Sequence, residues 1–240
     1  MKIRIISKKP QFKLHKELNQ ELWNLGKLKP NVREALMRIA LEFYNSLEVD
    51  AELMDVRFTG SLASFNYTPQ SDIDLHLVIN FSKVDENVKL VKNYFDAKRI
   101  NWNKKHFITV KDYEVEVYVE NIDEDHHANG IYSLMNDQWI LNPLPIQGEV
   151  DLTAGDNKAE ALKREIDAAI SAEDNLRHLR RLKDKIRKMR RCGLEERGIF
   201  SAENLAFKIL RNAGYLNKLS KAITTEYDRQ YSLPEEMART

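Results

Sequence analysis

The sequence predicts an α/β fold, a small mixed sheet with flanking helices, followed by an α-helical domain. Three observations predict it. Residues 30–120 switch between apolar spacing of three to four and strict alternation, the periods of helices and strands. Residues 142–145 (Asn-Pro-Leu-Pro) then break regular structure. From about Asp156 onward the spacing is helical throughout and no further strand pattern appears. The reading divides the chain into an N-terminal arm (1–29), an α/β domain (30–150) and a helical domain (151–240), with the boundary inside 143–155.

Taken in order, residues 2–6 (Lys-Ile-Arg-Ile-Ile) read as a short strand or strand-like arm. Residues 11–29 carry Leu14, Leu18 and Leu22 four apart, which permits a short helix, although a segment wrapping the domain fits better. Trp23 is its packing anchor. Pro30 suits a first helical turn. Val32, Leu36, Ile39, Ala40, Phe43 and Leu47 then give an amphipathic helix to residue 47. A short strand over 56–59, a turn at Gly60 and Ser61, and a strand over 72–80 follow. Ser82 is positioned to cap a helix over 83–98, with Val84, Val88, Val91, Tyr94 and Phe95 inward. Residues 106–110 and 113–120 form a hairpin about Lys111 and Asp112. Residues 123–127 (Asp-Glu-Asp-His-His) read as a solvated loop. Residues 131–134 and 138–141 make a small hairpin at the sheet's edge.

In the helical domain, Leu176, Leu179, Leu182 and Ile186 keep helical spacing, and residues 177–191 hold nine Lys or Arg against one acid, Asp184. Gly193 reads as a helix stop. Ser201 caps the next helix, which carries Leu205, Ile209 and Leu210 and ends at Gly214; a last helix runs from Tyr215 to about Tyr227.

The chemistry concentrates in residues 58–76. On a strand, Asp72, Asp74 and His76 share one face while Ile73, Leu75 and Leu77 take the other. Carboxylates two positions apart lie about 6–7 Å from each other, from a rise of about 3.3 Å per residue. Each disfavours the other's charged form, and a hard divalent cation resolves that conflict. Gly60 lets the backbone approach a bulky anion, and Ser61 adds a hydroxyl and turn amides suited to phosphates. In residues 113–120, Val115, Val117 and Val119 face one way; Glu114, Glu116, Tyr118 and Glu120 face the other.

Strand, Gly60-Ser61, loop, then Asp72-x-Asp74 on a strand resembles the signature of the DNA polymerase beta-like nucleotidyltransferase superfamily. The resemblance covers residues 30–120 by pattern. It implies a nucleotidyltransferase-like sheet and a third carboxylate from a later strand, for which Val115-Glu116-Val117 fits best; Glu114, on the same face, remains the alternative. Residues 18–23 (Leu-Asn-Gln-Glu-Leu-Trp) and 71–76 also make the layout similar to small nucleotidyltransferase-like proteins encoded by tailed bacteriophages.

The resemblance implies transfer of a nucleoside monophosphate from an NTP to an acceptor hydroxyl, with Asp72, Asp74 and Glu116 as catalytic and metal-binding residues for Mg²⁺ or Mn²⁺. Gly60, Ser61 and His76 would serve nucleotide binding, with Lys208 and Arg211 as further candidates. The acceptor stays open among RNA, a second nucleotide, a small molecule and a protein hydroxyl. The competing expectation is a catalytically silent nucleotide- or RNA-binding module of the same fold. The basic stretch 177–191 reads either as a solvated face or as a phosphate-binding wall.

The totals fit both. A net charge of +1 excludes an overall electrostatic argument for nucleic acid. A single cysteine, Cys192, excludes an intramolecular disulfide and fits a reducing compartment. The residues after Met1 do not read as a signal peptide, and no apolar run approaches a membrane span. The expectation is a cytoplasmic protein (host cytoplasm if phage-encoded) with no membrane partner.

Overall fold

The computed structural model describes residues 15–124, 128–144, 151–172 and 175–233. The expected strand over 2–6 and the loop residues 125–127 lie outside them. The chain forms two compact units that meet in sequence at Gln147 and Gly148.

The first unit is a mixed α/β structure. Its elements are β1 (Trp23–Asn24), β2 (Lys27–Leu28), α1 (Pro30–Ser46), β3 (Leu53–Thr59), β4 (Ile73–Ile79), α2 (Val88–Lys105), β5 (Thr109–Val110), β6 (Tyr113–Asn121), β7 (Ile131–Ser133) and β8 (Gln138–Leu141). Six strands form one sheet in the order β5-β6-β4-β3-β7-β8. Only β4 and β6 pair in parallel, which requires the long crossover through α2.

Alternation decides which face is buried. Ile73, Leu75, Leu77 and Ile79 of β4, Val56 and Phe58 of β3, and Val115 and Val117 of β6 join Leu36, Ala40 and Phe43 of α1 and Val91 and Phe95 of α2 in one core. The intervening residues (Arg57, Asp74, His76, Glu116 and Tyr118) therefore share the opposite face.

Local chemistry sets the ends of these elements. Pro30 opens α1 at a position whose N–H would have no partner. Lys111 (φ 52°) and Asp112 (φ 64°) both adopt the left-handed conformation that a two-residue hairpin of this hand requires. α2 starts later than expected. Residues Phe81–Lys83 form a 3₁₀ turn capped by Asn80, and the side chain of Asn87 accepts from the Leu90 N–H to begin α2. Val88 and Tyr94 consequently point outward, and only Val91 and Phe95 are buried. Past the short β5, the side chain of Asn103 replaces a neighbouring strand. Its amide donates to the Val117 carbonyl and accepts from the Val117 N–H, each at 3.1 Å.

Residues 15–29 form no helix; they contribute the small β1–β2 hairpin and core residues Leu22, Trp23 and Leu28. Trp23 stacks on Phe58 and Trp139 and meets Tyr132 edge-on, with centroids 4.7–5.4 Å apart. Its indole N–H donates to the Leu62 carbonyl at 2.8 Å. Leu62 follows the Gly60-Ser61 turn directly, so this one side chain both fills the core and holds the turn. Trp23→Phe keeps most of the apolar contact but orphans a buried carbonyl. The expected loss is about 1–3 kcal/mol, read as a lower denaturant midpoint with unchanged slope.

The second unit is helical: α3 (Leu152–Ser171), α4 (Leu176–Arg197), α5 (Ala202–Asn212) and α6 (Tyr215–Tyr231). Leu162, Ile166, Leu179, Leu182, Ile186, Leu210 and Leu219 form its core. Ser201 caps α5 by accepting from the Asn204 N–H at 3.2 Å. Gly193 does not stop α4, which continues to Arg197 and ends at Gly198 with φ 70°. The reason for Gly193 is space: a Cβ there would stand 2.5 Å from the Glu203 Cβ and 2.7 Å from the Ser201 Oγ. No helix among the described residues is long and apolar enough to cross a membrane.

Candidate active site

The site is built where β3 ends and β4 begins. Thr59 pairs with Asp74 across the antiparallel ladder, and Asp74 pairs with Glu116 across the parallel one. Asp72 stands one residue before β4. These placements gather Asp72, Asp74 and Glu116, each half-buried, so that one carboxylate oxygen from each lies within 4.8 Å of the others. Glu116, opposite Asp74 in the parallel ladder, belongs to this cluster, and Glu114 does not. Glu114 stays nearby. Burial, and then the charges of Glu116 and Asp72, push its carboxyl above the ordinary value.

Gly60 is required by Asp74. It has φ +81°, and a Cβ on it would stand 1.8 Å from Asp74 Oδ2. The backbone of the turn therefore passes directly beside the carboxylate, as only glycine permits. The segment from 61 to 71 is tied together by small polar side chains. Ser61 Oγ and Ser71 Oγ are 2.8 Å apart, and the Thr68 N–H donates to Ser71 Oγ at 2.9 Å. Asn129 donates to Ser64 Oγ at 2.9 Å. Ser61 is buried and its hydroxyl is engaged with Ser71, a contact that holds the turn's shape. Sequence reasoning missed Ser64, Thr68, Ser71 and Asn129; the density of Ser and Thr between residues 59 and 71 was the signal available.

Below the carboxylates lies a second polar layer on the same face. Arg57 Nη1 donates to Glu120 Oε1 at 2.8 Å, and His76 Nδ1 lies 3.2 Å from Glu120 Oε2. Arg57 Nε is 3.6 Å from Asp55 Oδ2, and Ser133 donates to Asp55 Oδ1 at 2.7 Å. Burial of Glu120 is offset by these two partners. His76 also stacks on Tyr118, centroids 4.8 Å apart, and the Tyr118 hydroxyl donates to Glu116 Oε2. Burial, followed by the charges of Asp74 and Glu116, holds that hydroxyl protonated well above its ordinary range. His76 thus braces Tyr118, and Tyr118 orients Glu116.

Lys208 and Arg211 lie on α5 of the helical unit. Lys208 is buried with 8% exposure, so its ammonium is not presented on an open basic surface; Arg211 is half-buried.

The donor set is oxygen only, three carboxylates with no imidazole or thiolate, which suits Mg²⁺ or Mn²⁺ rather than a softer metal. No protein-family model, curated protein or solved structure matches the chain.

Proposed function

We propose that the protein is a metal-dependent nucleotidyltransferase, which moves a nucleoside monophosphate from an NTP to an acceptor hydroxyl and releases pyrophosphate. The observation that carries this reading is the convergence of Asp72, Asp74 and Glu116 beside a glycine turn whose backbone touches Asp74. Three carboxylates this close are a costly arrangement without a cation.

In this reading Asp72, Asp74 and Glu116 hold Mg²⁺ or Mn²⁺. Bound there, the metal supplies charge neutralisation for the triphosphate and lowers the pKa of the acceptor hydroxyl. Glu116, kept in place by the Tyr118 hydroxyl, takes the acceptor's proton. The acceptor oxygen then bonds to the α-phosphorus, the bond to the β-phosphate oxygen breaks, and pyrophosphate leaves. The protein's share is mostly positioning: the Ser61–Ser71 tie and the Trp23–Leu62 bond fix the turn before substrate arrives.

The test is pyrophosphate release from each of the four NTPs with Mg²⁺ or Mn²⁺. It is run alone and with RNA, a second nucleotide, or the protein's own hydroxyls as acceptor. Release that Glu116→Gln lowers far more than Glu114→Gln is the expected outcome. Metal-dependent NTP binding with no release under any acceptor condition would assign the chain to silent nucleotide binding instead. No binding at all would end both readings.

A further inference from the structure

We infer that the helical unit carries a second, metal-independent binding site for a nucleoside phosphate, in the pocket where α4, α5 and α6 meet. The cavity is about 490 Å³, within the range of roughly 300–1,000 Å³ typical of small-molecule sites. Its floor is apolar, with Ile186, Phe207 and Leu219; its rim carries Lys183, Arg187, Arg190 and Arg191. All the ionisable residues that line it are cationic.

The basic face of α4 is not uniform. On another part of the helix, Lys185 is paired with Glu165 at 2.8 Å. Among the described residues, Lys183, Arg187 and Arg191 have no such carboxylate partner. Lys183 Nζ donates only to Ser220 Oγ at 3.1 Å. Arg187 and Arg191 are exposed and, among the described residues, have neither an ion pair nor a hydrogen bond. Lys183, Arg187 and Arg191 are spaced i, i+4, i+8, the arrangement in which like charges on a helix repel one another. A solvated basic face needs no cavity beneath it. Cations gathered over an apolar floor fit an anion with an apolar body.

The shape of the rim narrows the ligand further. The Arg190 guanidinium lies 4.2 Å from the Phe207 ring centroid, and its Nε donates to Asn204 Oδ1 at 3.3 Å. This makes a flat, fixed cation–aromatic platform, a surface on which a nucleobase stacks. Arg187 and Arg191 offer planar forks that match phosphate oxygens. A nucleoside phosphate supplies both a planar apolar part and a multiply charged anion, from either a free nucleotide or the phosphorylated end of a strand.

The experiment is calorimetric titration of the full chain with AMP in EDTA at low salt. Saturable binding is expected, at least about tenfold weaker in the Arg187→Gln/Arg191→Gln variant. Inorganic phosphate alone should bind at least about tenfold more weakly than AMP, because it leaves the floor empty. The Asp72→Asn/Asp74→Asn variant should bind AMP like the wild type, which separates this site from the carboxylate cluster. A 5′-phosphorylated tetranucleotide that binds more tightly than AMP would identify a strand end as the source, and one that does not would identify the free nucleotide. Absence of AMP binding in EDTA, binding that the double glutamine variant leaves unchanged, or phosphate binding as tight as AMP would overturn the inference.

Discussion

Asp74→Asn is expected to lower nucleotidyl transfer on the order of a thousandfold, with Asp72→Asn close behind and the fold unchanged. A metal's charge stabilisation in such chemistry amounts to several kcal/mol, and about 4 kcal/mol corresponds to a thousandfold in rate. Asparagine keeps the size and one oxygen of the side chain but removes the charge. Both aspartates are half-buried at the end of a sheet whose core lies on the opposite face, so their loss as charges costs the fold little. The thermal midpoint should stay level or rise, because three crowded carboxylates become two. Steady-state pyrophosphate release beside a melting curve checks both halves. A variant that unfolds would show the carboxylates to be structural, and one that retains full activity would remove Asp74 from the mechanism.

Gly60→Ala should cost nearly as much activity by a different route. Its Cβ would enter the space of the Asp74 carboxylate, 1.8 Å from Oδ2, and the backbone sits at φ +81°. The strain of a left-handed non-glycine residue is about 1–2 kcal/mol. The colliding atom is the end of a side chain that is able to turn away, so the protein folds with a modestly lower melting temperature. Asp74 cannot then occupy its place in the cluster, and turnover falls at least about a hundredfold, a loss that follows from roughly an ångström of misplacement. Gly60→Asn separates the two effects. Asparagine tolerates the left-handed conformation, so stability recovers in part while activity does not.

Much of the sheet was legible in the sequence because its signals are local. The alternation of Ile73, Leu75, Leu77 and Ile79 against Asp74 and His76 appears directly in β4 and its burial. Lys111 and Asp112 turn the β5–β6 hairpin, and Ser201 caps α5. What could not be read depended on contacts outside each element's own pattern. That Glu116 rather than Glu114 stands in the cluster depends on the pairing of β4 with β6, some forty residues apart and invisible to periodicity. Gly193 has the composition of a helix stop, but its lack of a side chain makes room for Ser201 and Glu203. Ser82 and Asn87 are both capable caps, and the 3₁₀ turn over Phe81–Lys83 decides between them. The Arg57–Glu120–His76 layer joins three strands, and no single strand's pattern announces it.

That layer gives the site its rigidity. A carboxylate cluster works as a metal site only if its members are held in place before the ion arrives, and Asp74 and Glu116 each have a support. Asp74 is backed by the Gly60 turn, Glu116 by Tyr118, and Tyr118 by the His76 ring, which Glu120 in turn engages. The N-terminal segment contributes as well, because the Trp23 indole holds the Leu62 carbonyl from outside the sheet.

The most direct test of the central claim, that these three carboxylates form a divalent-cation site, is titration of the protein with Mn²⁺ followed by the paramagnetic resonance of the free ion, in the presence of a non-hydrolysable ATP analogue. The account predicts saturable loss of the free Mn²⁺ signal beyond that caused by the analogue alone. It also predicts at least about tenfold weaker binding in Asp74→Asn and Glu116→Gln, and little change in Glu114→Gln. Equal Mn²⁺ binding by the wild type and the Asp74→Asn/Glu116→Gln double variant would contradict it.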